Sequence, residues 1–141
     1  MRGVLFDDES VLREHRLTDP AITGRWETVA GDFFTAVPRG GDVYFLKRVL
    51  HDWDDAHSLR ILESCRAAMS DQARLLVIDA IVPLGNDPHP SKLYDVAMMT
   101  IFDGKERTEA EFVSLLAQAG LKLNRIIPTP GTLSIIEAAA A

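Results

Sequence analysis

Short apolar runs alternate with longer stretches of helical periodicity along this chain. Gly3-Val4-Leu5-Phe6 is a brief apolar run closed by acids and predicts a buried strand. Residues 7–16 predict a helix with Val11 and Leu12 as its few apolar contacts, broken by Asp19-Pro20. Residues 26–29 predict a second strand, closed by Ala30-Gly31-Asp32. After the turn Pro38-Arg39-Gly40-Gly41, residues 42–47 predict a third strand. Its unbroken apolar run, Val43-Tyr44-Phe45-Leu46, implies burial on both faces. A helix then starts at Asp54 or Asp55, either of which can cap free backbone N–H groups. Its core stripe is Leu59, Leu62, Arg66 and Met69, widened by Ile61, Cys65 and Ala68.

Residues 74–80 predict a fourth strand, and the proline-rich stretch 83–90 a loop. Residues 94–102 are apolar at helical spacing, with Gly104 interrupting the pattern. Thr108-x-x-Glu111 fits a capping box. Phe112, Leu115, Leu116 and Ala119 form the stripe of the helix it opens, and Gly120 supplies the stop. Residues 121–127 and 133–136 predict strands joined by Pro128-Thr129-Pro130-Gly131, a turn short enough to force antiparallel pairing. The fold class is therefore α/β, a mostly parallel sheet with an antiparallel C-terminal hairpin. The four terminal alanines are the only low-complexity stretch.

Composition narrows the function classes. The 141 residues suit one domain, and 47% hydrophobic content suits a globular core. A net charge of -6 with no basic stripe argues against a nucleic-acid surface. The single cysteine, Cys65, has no internal partner, consistent with a reducing cytoplasm. The N-terminal apolar run is too short for a signal peptide, and no stretch nears the roughly 20 apolar residues of a membrane span.

His51 is the first chemical candidate. It follows the third predicted strand, at the edge where open α/β sheets build sites. It reads as a general base, with a reference pKa of roughly 6.5, or as packing at a strand end. Asp79 and Glu106 are candidate orienting acceptors for its second ring nitrogen, or solvated loop acids. His51, Asp52, Asp54 and Asp55 also resemble part of a metal site, but alternate strand-end positions point apart and the last two serve as caps. No metal is expected. Asp7 and Asp32 are strand-end acids that could hold ribose or adenine, or simply close turns. Met98, Met99 and Phe102 could line an aromatic pocket or fill helix core. None of the nine glycines makes a Gly-x-Gly, and neither a Walker motif nor a serine nucleophile elbow occurs.

The ordered motifs carry a resemblance across essentially the whole chain. They are Gly3-Val4-Leu5-Phe6-Asp7, Gly31-Asp32-Phe33-Phe34, Val37-Pro38, Leu46-Lys47-Arg48-Val49-Leu50-His51-Asp52-Trp53, Asp95-Val96-Ala97-Met98-Met99 and Gly104-Lys105-Glu106-Arg107-Thr108. Together they are similar to S-adenosylmethionine-dependent O-methyltransferases of the caffeate and polyketide-tailoring type. That resemblance implies a Rossmann-like class I sandwich and S-adenosyl-L-methionine as cofactor. Asp7 would hold its ribose, Asp32 and Phe33 its adenine, and Lys47 would sit nearby. His51 would deprotonate a small-molecule hydroxyl, with Asp79 and Glu106 orienting it. Asp52, Met98 and Met99 would contact that acceptor.

Departures from the family are equally informative. Met1 falls at the family's second strand, so its helical dimerisation domain, first strand and Gly-rich loop have no counterpart here. The family is homodimeric through that domain. The missing strand is central, so a gap is expected between residues 3–6 and 43–47. Asp8-Glu9 replaces the usual hydrophobic residue and proline. The implied function is methylation of a hydroxyl on an aromatic or polyketide-like molecule, in the cytoplasm, with no nucleic-acid or membrane partner. The alternative is an inactive remnant or half of a split enzyme acting as an interaction module.

Overall fold

The computed structural model describes residues 1–101 and 104–141, so the expectation for Phe102 lies outside the described residues. Strands β1 (Gly3–Asp7) and β2 (Trp26–Ala30) form a parallel pair with Asp7 opposite Ala30. Strands β3 (Val43–Lys47), β4 (Arg74–Ala80), β5 (Leu121–Pro128) and β6 (Leu133–Ala140) form a second sheet in the order β3-β4-β6-β5. β3 and β4 run parallel, while β6 runs against both β4 and β5. Among the described residues β1 and β3 do not pair, which is the expected gap.

Helices α2 (Asp55–Ala68) and α4 (Glu109–Gln118) pack on one face of the larger sheet. Leu75 and Val77 of β4 and Ile136 and Ala138 of β6 meet them there, all at 0% exposure. Ile61, Leu62 and Cys65 carry α2 onto this core, whereas Leu59 is only half-buried. The stripe is thus centred one position away from the periodicity's expectation. Each fully buried aliphatic side chain is worth about 1.5–3 kcal/mol, so Ile61 and Leu62 anchor the helix. Phe33, Phe34 and Val37, from the segment after β2, pack against the same core and tie the two sheets together.

Three expectations are corrected. β3 is not buried on both faces, because Val43 is 43% and Phe45 63% exposed. Its apolar run sits on an edge strand whose second face is left uncovered, and a run of apolar residues does not encode which neighbours arrive. The first helix is only α1 (Glu9–Leu12), not ten residues long. Asp8 caps it, but Leu12 alone is buried while Val11 is 54% exposed, too little apolar surface to hold further turns. The last strand runs through the terminal alanines to Ala140, where small side chains suit a buried register opposite Leu123 and Leu121.

Local signals fare better. Asp54 caps α2 by accepting the His57 N–H at 2.8 Å, and Thr108 and Glu111 cap α4 reciprocally. Helix α3 (Pro90–Ile101) starts earlier than its apolar pattern, from a proline at its first position. Among the described residues no helix is long and apolar enough to cross a membrane.

Thr108→Ala removes the side-chain half of the capping box and leaves the Thr108 N–H on the Glu111 carboxylate. We expect a loss of about 1 kcal/mol in urea denaturation, and an unchanged midpoint would show that the Thr108 hydroxyl does not hold the start of α4.

Candidate active site

Three segments converge at the carboxyl end of β4. The parallel register sets Lys47 opposite Ile78, and the Arg48 N–H donates to the Ile78 carbonyl at 3.1 Å. Arg48 then turns the chain with φ +53, a left-handed value that side-chain-bearing residues rarely adopt. The short 3-10 turn Leu50–Asp52 follows and carries His51 inward. Asp79 is the penultimate residue of β4 and points into the same space. Beyond that strand Ile81 bridges Arg107 in parallel, which brings Glu106 alongside.

His51 is 4% exposed, and its Nδ1 lies 3.1 Å from Glu106 Oε1. A carboxylate oxygen accepts from a ring N–H, so the neutral ring with its proton on Nδ1 keeps this hydrogen bond. Asp52 Oδ1 stands 3.2 Å from that Nε2. The hydrogen bond to Glu106 raises the His51 pKa above its usual value, burial opposes the rise, and the Asp79 charge adds to it. The Glu106 N–H is in turn held by Asp95 Oδ1 at 2.9 Å.

Asp79 is 1% exposed, and among the described residues neither of its oxygens has a hydrogen-bond partner. It therefore acts on His51 through charge rather than by gripping the ring, and Glu106 alone is the hydrogen-bonded orienter. Burial pushes the Asp79 carboxyl up to about 7, against the pull of His51, while neighbouring Glu106 adds to the rise.

Gly104 lies directly under the His51 turn. A Cβ there would collide with the His51 carbonyl oxygen and come within 2.7 Å of the Asp52 carbonyl carbon. Arg107, 1% exposed, reaches beneath the same turn. Both residues stand in the Gly104–Thr108 run, but nothing in the sequence assigned them a role, since only the turn they touch reveals it.

The remaining candidates are spread out. Asp54 and Asp55 turn away from His51, to the α2 cap and to Lys105 and Arg107, and no cluster of three metal-ligating side chains exists among the described residues. Asp32 accepts from the Phe34 N–H at 2.9 Å and the Thr35 hydroxyl at 2.8 Å. It borders an open cleft of about 430 Å³ walled by Phe6, Val29, Ala30, Val37 and Pro38. Gly31 sits at its floor, where a Cβ would come within 2.6 Å of the Phe6 ring and push that side chain aside. Asp7 ends β1 and accepts the Asp8 N–H at 2.8 Å. Lys47 is exposed at the end of β3, and on α3 Met98 is half-buried and Met99 59% exposed.

A family model described as an O-methyltransferase domain matches residues 1–122. The chain belongs to this O-methyltransferase family. It is 43% identical over 139 residues to a phenazine O-methyltransferase of Lysobacter antibioticus, covering 97% of this chain and 41% of that relative. A methyltransferase of calicheamicin biosynthesis, solved with S-adenosylhomocysteine bound, superposes with a TM-score of 0.94. It is 47% identical and covers 99% of this chain but 42% of that one. An O-methyltransferase of neocarzinostatin biosynthesis, solved with S-adenosylmethionine and 2-hydroxy-5-methyl naphthoic acid, superposes at 0.86. It is 36% identical and covers 100% of this chain and 42% of that one. This O-methyltransferase-family chain thus spans about two fifths of the length of the curated relatives it matches.

The buried groups couple stability to pH in one direction. His51 has a folded pKa above its unfolded value, so its contribution is complete below about 6.5 and is lost as pH rises through the folded value. Asp79 keeps its proton to about 7 when folded but to 3.8 when unfolded, so stability again falls as pH rises across that window. Asp79→Asn should therefore gain on the native residue between about pH 4 and pH 8, by on the order of 4 kcal/mol. A pH-independent difference in urea denaturation would refute this. Gly104→Ala should cost about 1–3 kcal/mol in the same assay by forcing the His51 turn outward.

Proposed function

We propose that this chain carries the base-bearing part of an S-adenosylmethionine-dependent O-methyltransferase acting on a hydroxyl of an aromatic or polyketide-like small molecule. One observation carries the reading: a buried histidine whose Nδ1 is fixed by Glu106, leaving Nε2 to take a proton. Family membership and the aromatic ligand in a solved relative support it.

The residues present fit the adenosyl half of the cofactor. The cleft beside Asp32 offers flat apolar walls with one acid at its rim, which suits a heteroaromatic base. Asp32 on that cleft would hold the adenine with Phe33, which packs on the core next to it in the chain, Asp7 at the end of the adjoining strand would hold the ribose, and Lys47 would lie close by. When bound, S-adenosylmethionine supplies a sulfonium methyl that an oxyanion takes as the carbon–sulfur bond breaks. His51 accepts the hydroxyl proton at Nε2, and Glu106 steadies the resulting imidazolium. Asp52 beside Nε2 would accept from a second polar group of the acceptor. Met98 and Met99 would offer it polarizable walls. Positioning of the two reactants would supply much of the rate.

A second reading, an interaction module without turnover, is favoured by the free edges of β1 and β3, which do not pair with each other among the described residues, and by the exposure of Val4 and Phe45. Isothermal titration of the chain with S-adenosylmethionine separates the two. Binding in the micromolar range overturns the module, and absence of binding overturns cofactor use by this chain.

In a form that turns over, His51→Ala should lower kcat by about 10²–10⁴-fold while leaving cofactor affinity unchanged. The kcat/KM profile of the unsubstituted protein should rise with pH through a pKa above about 6.5, since the neutral ring is the active form. Turnover that survives the substitution sinks the base assignment.

A further inference from the structure

Arg107 is a charged side chain sealed in the interior at 1% exposure. Its Nη1 donates to the Leu50 carbonyl at 2.9 Å and its Nη2 to the Trp53 carbonyl at 3.0 Å. Those two carbonyls bracket His51 and Asp52. Nη2 also donates to Ser58 Oγ at 3.0 Å, and Nε and Nη2 both reach Asp55 Oδ1, at 3.0 and 2.9 Å. The Ser58 hydroxyl lies 3.1 Å from the Leu50 carbonyl and 3.3 Å from that of Trp53, the same pair.

The turn it grips is weak by itself. It is closed by two backbone bonds, Asp52 N–H to Val49 and Trp53 N–H to Leu50, both 3.2 Å, and it follows the left-handed Arg48. Arg107 is itself anchored, because its carbonyl accepts the Val82 N–H at 2.9 Å beside the bridge to Ile81. Consecutive residues of an extended segment point to opposite sides. Glu106 accordingly takes the imidazole while Arg107 takes the backbone beneath it.

We infer that Arg107 is a positioning residue: its guanidinium fixes the Leu50–Trp53 backbone so that His51 keeps Nδ1 on Glu106 and Nε2 outward. The inference rests on reading His51 as the base. The planar fork matters more than the charge, since an ammonium cannot bridge two carbonyls, a hydroxyl and a carboxylate in one plane.

Arg107→Lys keeps the charge and removes the fork, so any change at His51 reports geometry. The test follows the ring nitrogens by NMR in the ¹⁵N-histidine-labelled chain, with His51→Ala assigning the signal. The expected result is a fall in the His51 pKa of at least about half a unit toward 6.5, with loss of the Nδ1–H preference. A folded Arg107→Lys chain whose His51 titrates as before overturns the inference. If that variant does not fold, Ser58→Ala is read instead. It alters no charge and removes one contact of the guanidinium, so it should move the titration the same way by less. An unmoved titration there overturns the inference equally. In a form that turns over, Arg107→Lys should lower kcat at least about tenfold with cofactor KM held within about twofold. A moved titration with turnover indifferent to His51→Ala would instead refute the base reading and leave the positioning role standing.

Discussion

Ionisable groups brought to the dry end of a sheet face one constraint: each must meet an opposite charge or give up its own. Withdrawing a charge from water costs several kcal/mol even after relaxation. Arg107 meets it through Asp55, and His51 through Glu106. Asp79 has no hydrogen-bond partner among the described residues and is pushed toward its neutral form instead. Most of the local architecture follows. Asp55 opens α2, so pairing it with Arg107 docks that helix end beside His51. Lys105 then joins Asp55 at 2.9 Å to Glu111 at 3.0 Å, and Glu111 is half of the capping box that starts α4. The N-terminal ends of both core helices are therefore anchored to one four-residue run, Gly104 to Arg107.

That run works only because the backbone delivers it to the right place. The parallel pairing of β3 with β4 puts the His51 turn next to Asp79, and the Ile81–Arg107 bridge prolongs the same line. The absence of a Cβ at Gly104 lets the two segments touch backbone to backbone. Glu106 and Arg107 can then address the ring and the turn together. A longer or bulkier connection would satisfy one of them and lose the other.

Features fixed within a few residues were legible in the sequence. The Thr108–Glu111 box, the Asp54 cap and the antiparallel hairpin depend on local chemistry, and the structure shows all three. Features fixed by neighbours were not. An apolar run reads as buried whether or not a layer covers it, so the exposure of Phe45 was invisible. The length of α1 depended on how little of it meets the core. In the site, the pairing of His51 with Glu106 was foreseeable from motif order, since acids that end adjacent elements open onto one edge. Whether Asp79 or Glu106 makes the hydrogen bond was not, because reach depends on where the turn after β3 places the ring. Arg107 was hardest of all, because a buried arginine looks like any surface cation until its acceptors are known.

The acids around His51 pull its reactivity two ways, and burial sets the balance. Glu106 and Asp79 favour the protonated ring, which makes a stronger base but leaves less of it neutral at a given pH. Removing the ring from water favours the neutral form and works against them. A fully solvated His51–Glu106 pair would lose that counterweight, and a buried histidine without Glu106 would be neutral but weak and free to rotate. Asp52 adds a further demand, because its carboxylate faces Nε2 at 3.2 Å. Two lone-pair-bearing groups at that separation are stable only with a hydrogen between them. At 3.2 Å that hydrogen is the ring's own Nε2–H, so Asp52, like Glu106, favours the protonated ring.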